Sequence, residues 1–454
     1  MDRLSDQPQK GFTDYFPEVL RVFRYVEERL RRAAVTFGYE EYDGPVLEPL
    51  EIYAAKSGEE MVREQAYVVR DKGGRELALR PEMTPTLARM VSQIAAGATR
   101  PLRWFSMPTC FRFERPQRGR VREFGQANVD ILGVDSSDAE LEIFALVRSF
   151  MESLGVPADL YRIRYSSRRY LDALLTHAAG VPPDRTAEVR RMIDRRDRME
   201  QAEFEGWVRD AFPEGGTAER ILALGDVRDP RELPFPGVPA AFRESEGCRE
   251  LVAFHRAVEE VGLGDVAAFD PSIVRGLDYY TRIVYEVHDV GGRNRRAMFG
   301  GGRYDNLLDL FSPQGMSGTG FGMGILTVKL FLESYGLIPA EAAKADLSGA
   351  AYVACVAPAQ RAYAFDVARR LRAAGIPCEM DLEFRKVGKQ IGRASAKGYP
   401  IVVIAGEDEQ RDWRVTLRRL SDGLQESASL DVLPDRLGAL RAAAGREAGT
   451  EGST

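Results

Sequence analysis

Cysteine and histidine are scarce, with four and three residues in a chain of 454. Cys110, Cys248, Cys355 and Cys378 form no CxxC pair, and their spacing suggests neither a zinc knuckle nor a disulfide framework, so they read as reduced, buried thiols. His177, His255 and His288 stand far apart and no HExxH occurs, so no protein-bound metal is expected. No apolar run approaches the roughly 18 residues that a membrane helix needs. The opening MDRLSDQPQK lacks the charged-then-apolar order of a secretion signal; a cytoplasmic protein with no membrane partner is the expectation. Positive charge is not in excess either. With 63 Lys or Arg against 69 Asp or Glu, the net charge of -6 gives no global field that would draw in nucleic acid, and such a partner would have to be met by a local patch. Neither GxxxxGK[ST] nor GxGxxG is present, so a bound nucleotide would not sit on a phosphate loop at a helix start.

What is there fits two or three domains, given the length and a hydrophobic fraction of 44%. Between Pro17 and Phe37 the apolar residues Val19, Val22, Phe23, Val26, Leu30, Ala33, Ala34 and Phe37 recur at helical spacing, opened by Pro17 and closed by Gly38. From about Arg103 to Val134 the period changes to two. A charge-rich helical stretch, Pro182 to Phe212, separates two strand-rich regions and looks like an insertion. After a linker, PAEAAKADLSGA, strand and helix alternate as in a small α/β domain. Its stretch Arg361 to Leu420 holds 13 Lys or Arg against 8 Asp or Glu, an excess that suits either a polyanion or a solvated helix face.

The segment FRFERPQRGRVREFGQANVD packs five arginines, Arg112, Arg115, Arg118, Arg120 and Arg122, into twenty residues. On a strand, Arg112 and Glu114 would share a face opposite Phe111 and Phe113. After the turn, Phe124, Gln126, Asn128 and Asp130 would share one face, and Gly125, Ala127, Val129 and Ile131 the other. The first set is built for ligands, since a guanidinium fork pairs with phosphate at any working pH and an aromatic ring stacks on a base. A salt-bridged surface hairpin is the plain alternative.

These residues resemble motif 2 of the class II aminoacyl-tRNA synthetases, in wording close to the histidyl branch. The resemblance implies that Arg112, Glu114, Arg120 and Phe124 contact ATP, with the arginines on its triphosphate. Gly11, Asp14 and Pro17 resemble the family's N-terminal G-x-x-D-x-x-P, and GYEEYDGPVLEP, ending at Pro49, resembles motif 1, which implies a homodimer. In LALRPEMTPTLAR, Glu82 and Thr84 match positions that meet the amino group of the amino acid, placed together if a strand carries them; by themselves they also fit a helix start. IVRGLDYYT is similar to the histidine-specific motif. It implies a catalytic role for Arg275, and for Arg112 beside it, at the α-phosphate and carboxylate. Tyr280 and Asp130 match the pair that hydrogen-bonds the imidazole, and Gln126 and Tyr279 join the histidine contacts, although a tyrosine in a strand also suits a core. FGGGRYDNLL matches the family as well.

One motif departs from the pattern. GTGFGMGILTVKL occupies the place of motif 3, but Leu326 and Thr327 stand where the family has Glu-Arg, the arginine that holds the γ-phosphate. Lys329 and Arg303 are the nearest replacements in sequence. The third region resembles the family's anticodon-binding domain, which implies tRNA phosphate contacts by Arg385, Lys386, Lys389, Arg393 and Lys397. Taken whole, the resemblance implies an α+β fold. Residues 1–157 and 266–338 would form a catalytic domain with an antiparallel sheet of six to seven strands flanked by helices, 158–265 a largely helical insertion, 350–435 an anticodon-binding α/β domain, and 436–454 a flexible tail. It implies a histidine–tRNA ligase using ATP with Mg2+ and tRNA(His). A histidine-sensing regulatory subunit of ATP phosphoribosyltransferase and a ligase serving another carrier are the alternatives.

Overall fold

A computed structural model of the protein describes residues 4–54, 64–196, 199–233, 237–275, 279–294, 296–311 and 315–440. The chain divides into two compact units, Met1–Ala343 and Lys344–Thr454, with the break inside the stretch read as a linker.

Among the described residues the first unit has twelve strands: β1 (Glu40–Glu41), β2 (Leu47–Pro49), β3 (Tyr67–Arg70), β4 (Glu76–Leu79), β5 (Leu102–Ser106), β6 (Thr109–Phe111), β7 (Glu123–Leu132), β8 (Tyr161–Ser167), β9 (Ala267–Phe269), β10 (Ile283–Asp289), β11 (Phe299–Tyr304) and β12 (Gly318–Gly324). Nine of them form one sheet in the order β1-β5-β7-β12-β11-β10-β8-β9, with β6 also paired to β7. All its pairings are antiparallel except those at the two edges, β1 with β5 and β8 with β9. The remaining three strands make a small sheet in the order β2-β4-β3. The sheet exceeds the expected six or seven strands because short edge strands extend it. One of its members, β8, begins at Tyr161 and pairs along its length with β10, so residues 161–167, expected within a largely helical insertion, form a strand of the large sheet.

Alternation along β7 divides the sheet into two faces. Ala127, Val129 and Ile131 are buried in the main core with Phe321, Met323 and Tyr285. That face is covered by the helix Pro17–Thr36, whose Val22, Phe23, Val26 and Leu30 are buried, and by the helices Asp138–Ser153 and Ile325–Tyr335. The opposite face is covered only in part, by the helix Thr84–Ser92 and the segment around Tyr279 and Tyr280. Such division follows from the pleat, since each strand must bury one side and is free to present the other.

The second unit has a five-stranded sheet built from Ala351–Cys355, Cys378–Met380, Ile401–Ala405, Arg414–Arg419 and Gln425–Ser429, with the helices Arg361–Ala373 and Val387–Lys397. Its first three strands are parallel, as the strand–helix alternation requires. Residues 436–440, expected to open a flexible tail, are part of the folded unit. Residues 433–440 are helical, Leu437 is fully buried, and Arg436 pairs with Glu426 at 2.7 Å. Residues 441–454 lie outside the described part.

Candidate active site

The partly open face of the large sheet has a floor of glycine. The cross-strand register aligns Asp130 with Gly320, Gly302 and Val284, and the next row aligns Asn128 with Gly322, Gly300 and Glu286. A Cβ on Gly320 would lie 2.2 Å from Asp130 Oδ1, and one on Gly300 would lie 3.0 Å from an Arg275 nitrogen. The glycines of FGGGRYD and GTGFGMG therefore make room for functional side chains that lie flat over the sheet.

Over this floor, Asp130 is 2% exposed. Its Oδ1 accepts a 2.6 Å hydrogen bond from the Tyr304 hydroxyl, and burial lifts its carboxyl from 3.8 to about 7 against the opposing effect of that bond. Tyr280, expected to share the imidazole with Asp130, lies beside Arg275, whose Cζ is 6.0 Å from its ring centroid, and beside Tyr279, with centroids 4.8 Å apart. Tyr304 was within reach of the sequence, because Gly300, Gly302 and Tyr304 fall on one face by alternation.

Glu82 and Thr84 do not lie on a strand. β4 ends at Leu79 and Thr84 opens the helix Thr84–Ser92, the arrangement that PEMT alone also fitted. No side-chain cap forms there; both residues face Tyr279, whose hydroxyl donates to Glu82 Oε2 at 3.1 Å and bonds with the Thr84 side chain. Tyr279 and Tyr280 themselves precede β10 in an irregular segment, so neither is a strand residue.

Arg275 has a left-handed backbone, φ 59°, a strained state for a non-glycine residue that surrounding bonds must hold. Arg168 supplies them: its guanidinium donates to the carbonyls of Arg275 at 3.0 Å and Tyr280 at 2.9 Å. The Arg275 side chain pairs with Glu286 at 2.9 Å. Burial alone would raise the Glu286 carboxyl, but the hydrogen bond from His288 and the charge of Arg275 outweigh it and hold the group at about 2. Neither Arg168 nor Glu286 stands out in sequence, because each acts across 107 or 11 residues of chain. Three buried atoms, Glu82 Oε1, Asp130 Oδ2 and Arg275 Nε, find no hydrogen-bond partner among the described residues. An uncompensated polar group of this kind costs about 1–3 kcal/mol. Gln126, whose Nε2 donates to Asn128 Oδ1 at 2.9 Å, lies on the same face.

Further along the face, Arg112 is 5.4 Å from the Phe124 ring centroid and its Nε donates to the Pro81 carbonyl at 2.9 Å. Glu114 pairs with Arg120 at 3.0 Å. The strand ends at Phe111, so Arg112 and Glu114 are presented by the loop that follows. Arg122 is committed elsewhere: it lies over Phe113 at 4.1 Å, donates to the Lys10 carbonyl, and its backbone N–H donates to the Gly11 carbonyl at 2.7 Å. Arg122, which the resemblance does not assign to ATP, thus fastens the N-terminal segment. The two suggested stand-ins for the motif 3 arginine fail. Arg303 is 1% exposed and spends all five donors on Glu140, Ser317 and the carbonyls of Val134 and Ser136. Lys329 pairs with Glu333 and lies over Phe23 on the helix-covered side. Thr327 turns its hydroxyl to the carbonyls of Met298 and Gly324.

In the second unit the basic set lies at and on the helix Val387–Lys397 but is unevenly free. Arg385 pairs with Asp381 at 2.8 Å, Arg393 with Glu379 at 3.4 Å and Lys397 with Glu379 at 2.6 Å. Lys386 and Lys389 are exposed and form no ion pair among the described residues. Among those residues no helix is long and apolar enough to cross a membrane.

The antiparallel sheet with its glycine floor, and the arginines and carboxylates set over it, define the catalytic domain of a class II aminoacyl-tRNA synthetase. Residues 11–328 match the family model described as histidyl-tRNA synthetase, and residues 350–440 match an anticodon-binding domain. A histidine–tRNA ligase of Leptospira biflexa is 37% identical over 92% of this chain and 94% of its own. The fold is shared with a histidyl-tRNA synthetase from Nostoc sp. PCC 7120, at a TM-score of 0.75 and 22% identity, covering 96% of this chain and all of that one. It is shared too with a Bacillus halodurans protein described as an ATP phosphoribosyltransferase regulatory subunit/histidyl-tRNA synthetase, at 0.70 and 23%, covering 89% and all of that chain. The chain belongs to the histidyl-tRNA synthetase family.

Proposed function

We infer that the chain is a histidine–tRNA ligase that works in two steps. Histidine carboxylate attacks the α-phosphorus of ATP; the new P–O bond forms as the bond to the bridging oxygen breaks, and pyrophosphate leaves. The terminal ribose hydroxyl of tRNA(His) then attacks the acyl carbon of histidyl-adenylate, the ester forms and AMP departs. ATP enters as its magnesium complex.

The observation that carries this reading is that Glu82 Oε1, Asp130 Oδ2 and Arg275 Nε are buried without a hydrogen-bond partner among the described residues, with Asp130 and Arg275 set against the glycine floor. Those groups match histidine in kind: a carboxylate for the ammonium, another for a ring N–H, and a guanidinium for the carboxylate and the phosphate it attacks. Thr84, Gln126, Tyr279 and Tyr280 complete the amino-acid pocket, and Arg112, Glu114, Arg120 and Phe124 the nucleotide side. A guanidinium where charge develops on the phosphate is worth about 2.7–4 kcal/mol in the transition state. Arg168 and Glu286 act through Arg275 as positioning residues. Dimerisation is supported by Val46, Leu47, Val68 and Val69, exposed apolar residues on or beside the small β2-β4-β3 sheet. A cytoplasmic location follows from the tRNA substrate.

Histidine-dependent exchange of labelled pyrophosphate into ATP, without tRNA and against a panel of amino acids, tests the reading. Exchange with histidine alone is expected. Tight histidine binding without exchange would move the assignment to a histidine-sensing regulatory subunit, a role for which the anticodon-binding match in the second unit gives no reason.

A further inference from the structure

The altered motif 3 leaves a chemical problem. Three phosphates must be met at the ATP end, yet Thr327 brings no charge, Arg303 has no free donor, and Lys329 lies on the other side of the sheet. A cation reaching that place has to come from another element.

The turn of the arginine-rich hairpin closes through a bridge between Gln117 and Arg120. At its tip, a Cβ on Gly119 would stand 3.7 Å from Leu330 Cδ1 and 4.0 Å from Thr327 Cγ2, so the turn rests on the first turns of the helix Ile325–Tyr335. Thr327 in turn donates 2.7 Å to the Met298 carbonyl, which pins the end of the β10–β11 connection beside the same helix start. The other end of that connection is fastened as well: Asn294 bonds Asp289 at 2.8 Å and Ser334 at 3.0 Å, and Arg293 is committed to the Ser334 carbonyl and the Tyr335 ring. Between these anchors Arg296 is exposed, and its Nη2 reaches Gln117 Oε1 at 3.4 Å. Its guanidinium therefore spans from the residue next but one to the Thr327 contact across to the hairpin tip, with a neutral amide oxygen as its partner.

We propose that Arg296 supplies the γ-phosphate contact that the motif 3 position has lost, delivered from the β10–β11 connection. Replacement of the usual arginine by Thr327 is then compensated twice: the threonine hydroxyl holds the connection through Met298, and the connection carries the cation. A long guanidinium on a pinned loop can exchange a single amide contact for a bidentate one to phosphate with little rearrangement. Arg120, paired with Glu114, remains on the hairpin as an ATP contact of its own.

The inference rests on the ligase reading, and the test separates the two. Affinities of the wild-type chain and of R296A for ATP, AMP and histidine are measured by calorimetry, with magnesium present throughout, and R120A is run in parallel. R296A should lose about tenfold or more in ATP affinity, while AMP and histidine stay within about twofold. A loss shared equally by AMP, an undiminished ATP affinity, or triphosphate selectivity lost in R120A but kept in R296A would overturn the role of Arg296. A wild-type chain that binds neither histidine nor ATP would instead sink the ligase reading and this inference with it.

Discussion

Asp130→Asn changes one atom in a buried pocket and removes the only state of that side chain that can carry charge. In the native chain the carboxyl holds its proton to about pH 7, against an ordinary value of 3.8, because burial disfavours the anion. The unfolded chain therefore releases this proton at lower pH than the native one. Between about 4 and 7 the native state binds more protons, and stability falls as pH rises; above about 7 both states are ionised and the whole penalty is present. At 1.36 kcal/mol per pH unit the gap amounts to roughly 4 kcal/mol. Asparagine keeps the shape and keeps an acceptor for the 2.6 Å bond from Tyr304, so the variant lacks the titration without losing the contact. Denaturant unfolding without ligand, followed from pH 5 to 8, should show the wild type losing roughly 3 kcal/mol relative to Asp130→Asn, the part of the gap that falls between pH 5 and about 7. Histidine offers an N–H to the carboxylate and draws the proton off, so the same variant should bind histidine far more weakly at pH 8 while its ATP affinity stays unchanged. Parallel pH curves for the two proteins would refute the buried, protonated carboxyl; equal losses for histidine and ATP would refute its place at the ring.

Four further outcomes are expected. Gly320→Ala places a Cβ 2.2 Å from Asp130 Oδ1, so the Michaelis constant for histidine should rise steeply while that for ATP moves little; steady-state pyrophosphate exchange at varied concentrations of each reads this. Arg275→Ala should slow activation by about 10²- to 10³-fold, the cost of one donor at a developing charge, with a smaller effect on histidine binding by calorimetry; weaker binding with an unchanged rate would contradict the transition-state role. Arg303→Met should leave Glu140 as a buried, unpaired charge and cost about 3–5 kcal/mol in chemical unfolding, whereas a phosphate-binding residue would show its loss in the ATP Michaelis constant at full stability. Lys386→Gln with Lys389→Gln should raise the tRNA Michaelis constant and make its logarithmic salt slope shallower by roughly 1–2, leaving pyrophosphate exchange unaltered; an unchanged salt slope would remove both lysines from the tRNA contact.

Local pattern carried far where one element decides the outcome, and failed where two elements meet. Period-two alternation placed Gln126, Asn128 and Asp130 opposite Ala127, Val129 and Ile131, because the pleat of one strand suffices for that, and the structure buries the second set in the core. Glu82 and Thr84 belong together, but the chain brings them together at a helix start, since Pro85 inside the first turn favours a helix entry over a strand. Arginine count misled for a related reason. A guanidinium is equally able to fork phosphate, clamp a loop or neutralise a buried carboxylate, and sequence shows the fork without its partner. Arg122 fastens Lys10, Arg303 neutralises Glu140, and Arg168 holds the strained turn at Arg275, each through a contact more than one hundred residues away. The same dependence on tertiary partners hid β8, whose RIRYSS could end an insertion or join a sheet until β10 claims it. The arginines of this chain are thus distributed among competing oxygen partners: Arg122, Arg168 and Arg303 are held by carbonyls and a carboxylate and support the fold around the site, and Arg112, Arg120, Arg275 and Arg296 are the ones proposed to meet the nucleotide.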